Sequence, residues 1–198
     1  LAPMMYPNTG NMGLPVVLYA FGSAGFAFGI TVMVTVSLFQ FTVGSVMASQ
    51  GNALKTLART PTVYAIVISL ALLLTDTSLP RWLDNSVDLI SGFTVPLMLI
   101  TLGVSLASIQ VRSLKSGVGF SLVRIPVAAG LAWGIGALLG LPPLAQSILV
   151  LQMSMPVAVF NYLFAQKAGR EPAYVASLVF CSTLLALFYL PLLLAWLM

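Results

Sequence analysis

Histidine is absent from the 198 residues, cysteine occurs once, and charged side chains make up only 6% of the chain. A single cysteine and no histidine exclude a disulfide framework and a His/Cys metal site. They also remove the usual general base for a serine or cysteine nucleophile, so the chain reads as no enzyme, with no catalytic residue, no metal and no cofactor implied. The shortage of charge excludes a water-soluble surface, since soluble domains carry about 25% charged residues. What remains is apolar: 60% of residues are hydrophobic and the mean hydropathy is +1.06. The fold class that follows is all-α, a polytopic membrane protein in contact with the lipid bilayer. The net charge of +4 comes from eight basic and four acidic residues. Most of the basic ones fall in short loops, where they orient spans and do not bind nucleic acid.

A span needs about 20 mostly apolar residues. With Gly, Pro and charges as punctuation, seven such runs lie roughly at residues 2–20, 25–48, 61–78, 84–107, 116–139, 144–166 and 173–197. Lys55 and Arg59, then Arg112 and Lys115, then Lys167 and Arg170 occupy three alternate loops, which therefore share one side. The positive-inside rule makes that side cytoplasmic in a cell (inner or plasma) membrane and puts the C-terminus outside. Arg124 is the exception, nine residues into the fifth span in SLVRIPVAAG. Such a residue snorkels to the interface, balances an anionic substrate, or serves an internal cluster of carbonyls.

Two of the spans are written against helix. In YPNTGNMGLP, residues 6 to 15, Pro7 and Pro15 each lack an N–H, while Gly10 and Gly13 leave helical geometry at little steric cost. Asn8, Thr9 and Asn11 add hydrogen-bonding groups at a depth where a freed backbone group must find a partner inside the protein. The sixth span has a second such stretch, LQMSMPVAVFNYLFA, residues 151 to 165, in which Gln152 and Ser154 precede Pro156 and Asn161 follows it. The first broken span enters from the cytoplasm and the sixth from outside. Inverted repeats with broken helices in corresponding positions are a transporter architecture, and a helix that restarts in mid-membrane offers its positive end to an anion.

The same residues resemble the auxin efflux carrier family, whose plant members carry a P-N-T-x-x-M-G-[IL]-P run like PNTGNMGLP. GFTVPLMLITLGVSLA (92–107), VRIPVAAGLAWG (123–134) and LQMSMPVAVFNYLFAQKAG (151–169) are similar to that family's seventh, eighth and ninth helices. The resemblance implies one transporter domain over residues 1–198, with 1–49 closing a first five-helix repeat and 60–198 forming the second. Three helices would then precede residue 1. It further implies a carrier or permease of small organic anions, such as mono- or dicarboxylates, often a homodimer, working by an elevator-like motion. Asn8 matches the family's substrate-contacting asparagine, and Pro7, Pro15 and Pro156 match its crossover prolines. Asn161 departs from the plant pattern, which is apolar or proline near there.

Together these readings give Asn8, Asn11, Gln152, Ser154 and Asn161 as the polar groups of a midplane substrate site. Coupling to protons, to sodium or to the membrane potential alone stays open. The alternative function is a non-transporting sensor or partner-binding membrane domain. Gly25-x-x-x-Gly29, Gly130-x-x-x-Gly134 and Gly136-x-x-x-Gly140 read as close helix contacts. Met4, Met5, Met12, Met153 and Met155 read as filler around the breaks, or as an adaptable lining for a substrate.

Overall fold

A computed structural model describes residues 2–44, 61–108 and 113–198. Lys55, Arg59, Arg112 and the end of the second expected span lie outside the described residues. The helices are α1 (Ala2–Met5), α2 (Leu14–Phe39), α3 (Pro61–Leu74), α4 (Arg81–Ser91) and α5 (Thr94–Ser108). They continue with α6 (Leu114–Leu138), α7 (Pro143–Met153), α8 (Phe160–Ala168) and α9 (Pro172–Leu197). Wide π-type turns at Thr9–Gly13 and Gln40–Gly44 extend α2 at its two ends. No strand occurs among the described residues, and the architecture is all-α.

Among the described residues, four stretches are long and apolar enough to cross a membrane: Thr9–Gly44, Arg81–Ala107, Leu114–Leu138 and Pro172–Leu197. The first is not one rod. Gly22 has φ 66° and ψ −161°, a conformation that favours glycine, and the chain reverses there. Beyond the reversal, a Cβ on Gly29 would lie 3.1 Å from Val17 and 3.3 Å from Leu14. The Tyr6 hydroxyl donates to the carbonyl of Phe39 at 3.2 Å, although a straight helix would hold residues 33 apart about 50 Å from each other. The α2 segment is therefore a hairpin of two arms, as the two expected spans require. The fourth expected span begins earlier than residue 84 and is interrupted at Gly92 and Phe93, between α4 and α5.

The core joins the first arm of α2 to α7 and α9 through Val17, Ile148, Leu151, Met155, Ala186 and Leu190. At one end of the bundle the starts of α6 and α9 lie together: the Ser113 N–H donates to Ser177 Oγ at 3.1 Å. At the other, Ser147 Oγ at the start of α7 donates to the carbonyl of Leu197 at the end of α9. Trp82, Trp133 and Trp196 are all exposed, as residues of an interfacial belt would be.

Small residues at four-residue spacing divide into two kinds. Gly25, Gly29 and Gly136 each have a neighbour within about 3.4 Å of where a Cβ would stand, whereas Gly130 and Gly134 have none within 4 Å. Gly117 makes the tightest approach between α6 and α9, since its Cβ would fall 2.5 Å from Cys181 Sγ and 2.7 Å from the Ser177 carbonyl oxygen. Backbone cannot move aside as a flexible side chain can. Gly117→Ala is expected to lower stability by about 2 kcal/mol, and Gly130→Ala to leave it unchanged or raise it by up to about 1 kcal/mol through helix propensity. Thermal unfolding of the two variants in detergent checks both directions.

Candidate functional site: the crossover of two broken helices

Both helices break where Pro7 and Pro156 stand, and the two breaks meet. Pro7 and Val157 form an antiparallel bridge, with the Asn8 N–H donating to the Pro156 carbonyl at 2.7 Å and the Ala158 N–H to the Tyr6 carbonyl at 3.1 Å. Each broken strand thereby supplies the partners that the other lost. On the first strand, Asn8 has φ −79° and ψ 62°, and the Thr9 N–H reaches back to the Pro7 carbonyl at 2.9 Å. This is an inverse γ-turn. The Gly13 N–H then closes onto the Asn8 carbonyl at 3.0 Å, a five-residue reach that restarts the helix as a π-type turn.

On the second strand α7 ends at Met153 and α8 begins at Phe160. The Val157 N–H, facing away from the bridge, is taken up by Ser182 Oγ of α9 at 3.0 Å. Tyr189, also of α9, donates its hydroxyl to the Ser154 carbonyl at 2.6 Å. Neither Ser182 nor Tyr189 stood out in the sequence, because a serine or tyrosine within an apolar span is ordinary until its partner is visible.

Arg124 is 1% exposed and does not snorkel. Its Nε donates to the Pro3 carbonyl at 2.9 Å and its Nη1 to the Met155 carbonyl at 2.7 Å. The first bond has a simple origin. In a continuous helix the Pro3 carbonyl would accept from the N–H of residue 7, and Pro7 has none. The guanidinium replaces the missing donor and ties α1 to the end of α7. Of the sequence readings for Arg124, snorkelling is excluded by its burial and the cluster of carbonyls is present around it, while Nη2 is buried without a hydrogen-bond partner.

The other expected site residues divide. Asn8 is 6% exposed and Asn161 2%. Asn161 Nδ2 donates to the Tyr6 carbonyl at 3.0 Å, which fixes the amide so that Oδ1 is its open end. Asn8 Nδ2 and Asn161 Oδ1 are buried without a hydrogen-bond partner. Gln152, fully buried, donates Nε2 to the Gly29 carbonyl at 3.3 Å, and its Oε1 lies against Gly13 in the space a Cβ would fill. Nε2 ties α7 to the second arm of α2, and Oε1 is buried without a hydrogen-bond partner. Ser154 Oγ turns back onto the Val150 carbonyl of its own helix. Asn11 is half-buried and reaches Thr101 of α5 at 3.5 Å. Pro15 sits in the first turn of α2, where no N–H is needed.

A cavity of about 600 Å3 opens beside the crossover. Met5, Tyr6, Thr31, Thr35, Leu149 and Met153 are among its lining residues. Thr31 and Thr35 spend their hydroxyls on carbonyls of their own helix, so the cavity is apolar. Met5 and Met153 line it, whereas Met155 is fully buried core. The methionines thus divide between cavity lining and core. Among the described residues no cluster of His, Cys, Asp or Glu could hold a metal.

Two half-helices that stop face to face, with backbone paired across the gap, are an arrangement found in broken-helix transporters. The sequence profile of a family described as "Membrane transport protein" matches residues 44–194. The chain belongs to that family, the one whose auxin efflux carriers it resembles. An uncharacterized transporter of Methanocaldococcus jannaschii is 27% identical over 198 aligned positions, covering 92% of this chain. One from Methanothermobacter thermautotrophicus is 29% identical over 192, covering 93%. The chain spans 63% of the length of each of these relatives.

The crossover yields a stability prediction. Ser182→Ala leaves the buried Val157 N–H without an acceptor, which is expected to lower stability by about 1–3 kcal/mol. A reduced melting temperature relative to Ser147→Ala, whose hydroxyl serves a bundle end, checks it.

Proposed function

We propose that the chain carries small organic anions, mono- or dicarboxylates, across the membrane, and that the anion binds where the two broken helices face each other. The observation that carries this reading is Asn8. Its Nδ2 is a buried donor with no acceptor, at the positive start of a helix that no side chain caps. The start of α8 at Val159 is likewise without a side-chain cap. A carboxylate at this point would accept from Asn8 and from helix N–H groups together. Asn161 Oδ1 suits a hydroxyl or a protonated carboxyl on the same guest. The adjoining apolar cavity, two residues from Asn8 at Tyr6, has room for its carbon skeleton. Pro7, Pro15 and Pro156 shape the site, Gln152 and Ser154 hold its walls, and Asn11 ties it to α5.

The antiparallel sense of the Pro7–Val157 bridge fits a scheme of two inverted repeats, 1–49 ending one and 60–198 forming the other. The basic loops face the cytoplasm and the C-terminus lies outside in this scheme. A homodimer in the cell membrane fits the family resemblance.

Substitution and binding should part company at Asn8. Asn8→Ala removes a buried amide that lacks a partner, so the melting temperature is expected to stay or rise. Affinity for the transported carboxylate should fall at least about tenfold, the loss of one charge-assisted hydrogen bond. Ligand-induced thermal shifts across mono- and dicarboxylates, with flux in vesicles, read both. Undiminished binding and transport by Asn8→Ala would defeat the reading.

A further inference from the structure

Arg124 has no role in the anion site described above, yet it is the largest fully buried side chain described. The chain's acidic residues, Asp76, Asp84, Asp88 and Glu171, are all exposed. Carbonyl oxygens hold two of its three nitrogens, Nε and Nη1, while Nη2 is buried without a hydrogen-bond partner. The breaks in α1 and α7 each present C-terminal carbonyls, which carry the negative ends of two helix dipoles. In transporters of this architecture such carbonyls of unwound helix are the groups that coordinate a coupling cation. Here several are taken by the protein's own donors. Arg124 holds Pro3 and Met155, and Tyr189 holds Ser154. The Tyr6 carbonyl accepts twice, from Ala158 N–H and from Asn161 Nδ2.

We propose that Arg124 is the resident cation of the crossover: its guanidinium stands between the carbonyl ends of α1 and α7 where a sodium ion would otherwise be bound, so the crossover is charge-balanced without one. Three features favour a fixed charge over an exchangeable ion. The guanidinium is planar and its donors diverge, so one group reaches carbonyls on two separate helices. It is covalently part of the chain and cannot dissociate, so the geometry does not depend on ion supply. It also comes from α6, a helix that neither break interrupts, and so positions both half-helices from one continuous support. Arg124 acts through those half-helices and is a positioning residue. The inference builds on the carrier reading, but its test requires no organic anion to bind.

The test compares melting temperatures of the full chain in sodium chloride and in N-methyl-D-glucamine chloride at equal ionic strength, without substrate. The protein itself and Arg124→Lys, which keeps the charge, are expected to melt within about 1 °C in the two salts. Arg124→Ala vacates the Pro3 and Met155 carbonyls. It is expected to melt lower in N-methyl-D-glucamine and to recover by about 3 °C or more in sodium, as a ligand bound by the folded state requires. Arg124→Met keeps the volume without the charge and replaces the alanine variant if that one does not fold. Sodium stabilisation of the unsubstituted protein, or indifference to sodium in both neutral variants, overturns the proposal. Failure of carboxylates to bind the unsubstituted protein would overturn the carrier reading and leave these melting temperatures as they are.

Discussion

Two backbone hydrogen bonds, from Asn8 N–H to Pro156 and from Ala158 N–H to Tyr6, allow everything else at the centre of this molecule. In hydrocarbon an unpaired N–H or carbonyl costs several kcal/mol, so neither helix could break alone at that depth. Breaking both at the same level lets each satisfy the other as a minimal antiparallel ladder. Most groups around it serve the carbonyls and N–H groups that this ladder cannot reach: Ser182 for Val157, Tyr189 for Ser154, Arg124 for Pro3 and Met155, and Asn161 for the second lone pair of Tyr6.

The pairing also separates charge. The two half-helices that end at the crossover direct their negative ends toward Arg124. The two that restart direct their positive ends toward Asn8 and the first turn of α8. A cation fixed at the carbonyl ends and uncapped helix starts on the other side give the centre an internal polarity.

How much of this was legible beforehand differs by residue. The two breaks were legible, because proline and glycine act locally and asparagine at mid-span has no bland role that removes its hydrogen-bonding demand. That the breaks meet followed only from span counting. Arg124 was legible as an anomaly, but its partners were not, since Pro3 and Met155 are 121 and 31 residues away along the chain. Gln152 was legible as a polar group at the break, but its bond to Gly29 was not, because that reach depends on the hairpin at Gly22. The glycine spacing could not distinguish Gly117, jammed against α9, from Gly130, which faces open space. The interruption between α4 and α5 at Gly92 was masked by the unbroken hydropathy of the run.

The central claim is that the two broken helices are joined at Pro7 and Val157, and a cross-link tests it directly. The two form a non-hydrogen-bonded pair, whose Cα atoms stand about 4.5 Å apart, within the span of a disulfide. With Cys181 replaced by alanine, cysteines at positions 7 and 157 should join on mild oxidation of the folded protein in membranes, seen as one linked peptide pair by mass spectrometry. Two free thiols after oxidation, in a protein that still folds, would mean that the rods do not meet there.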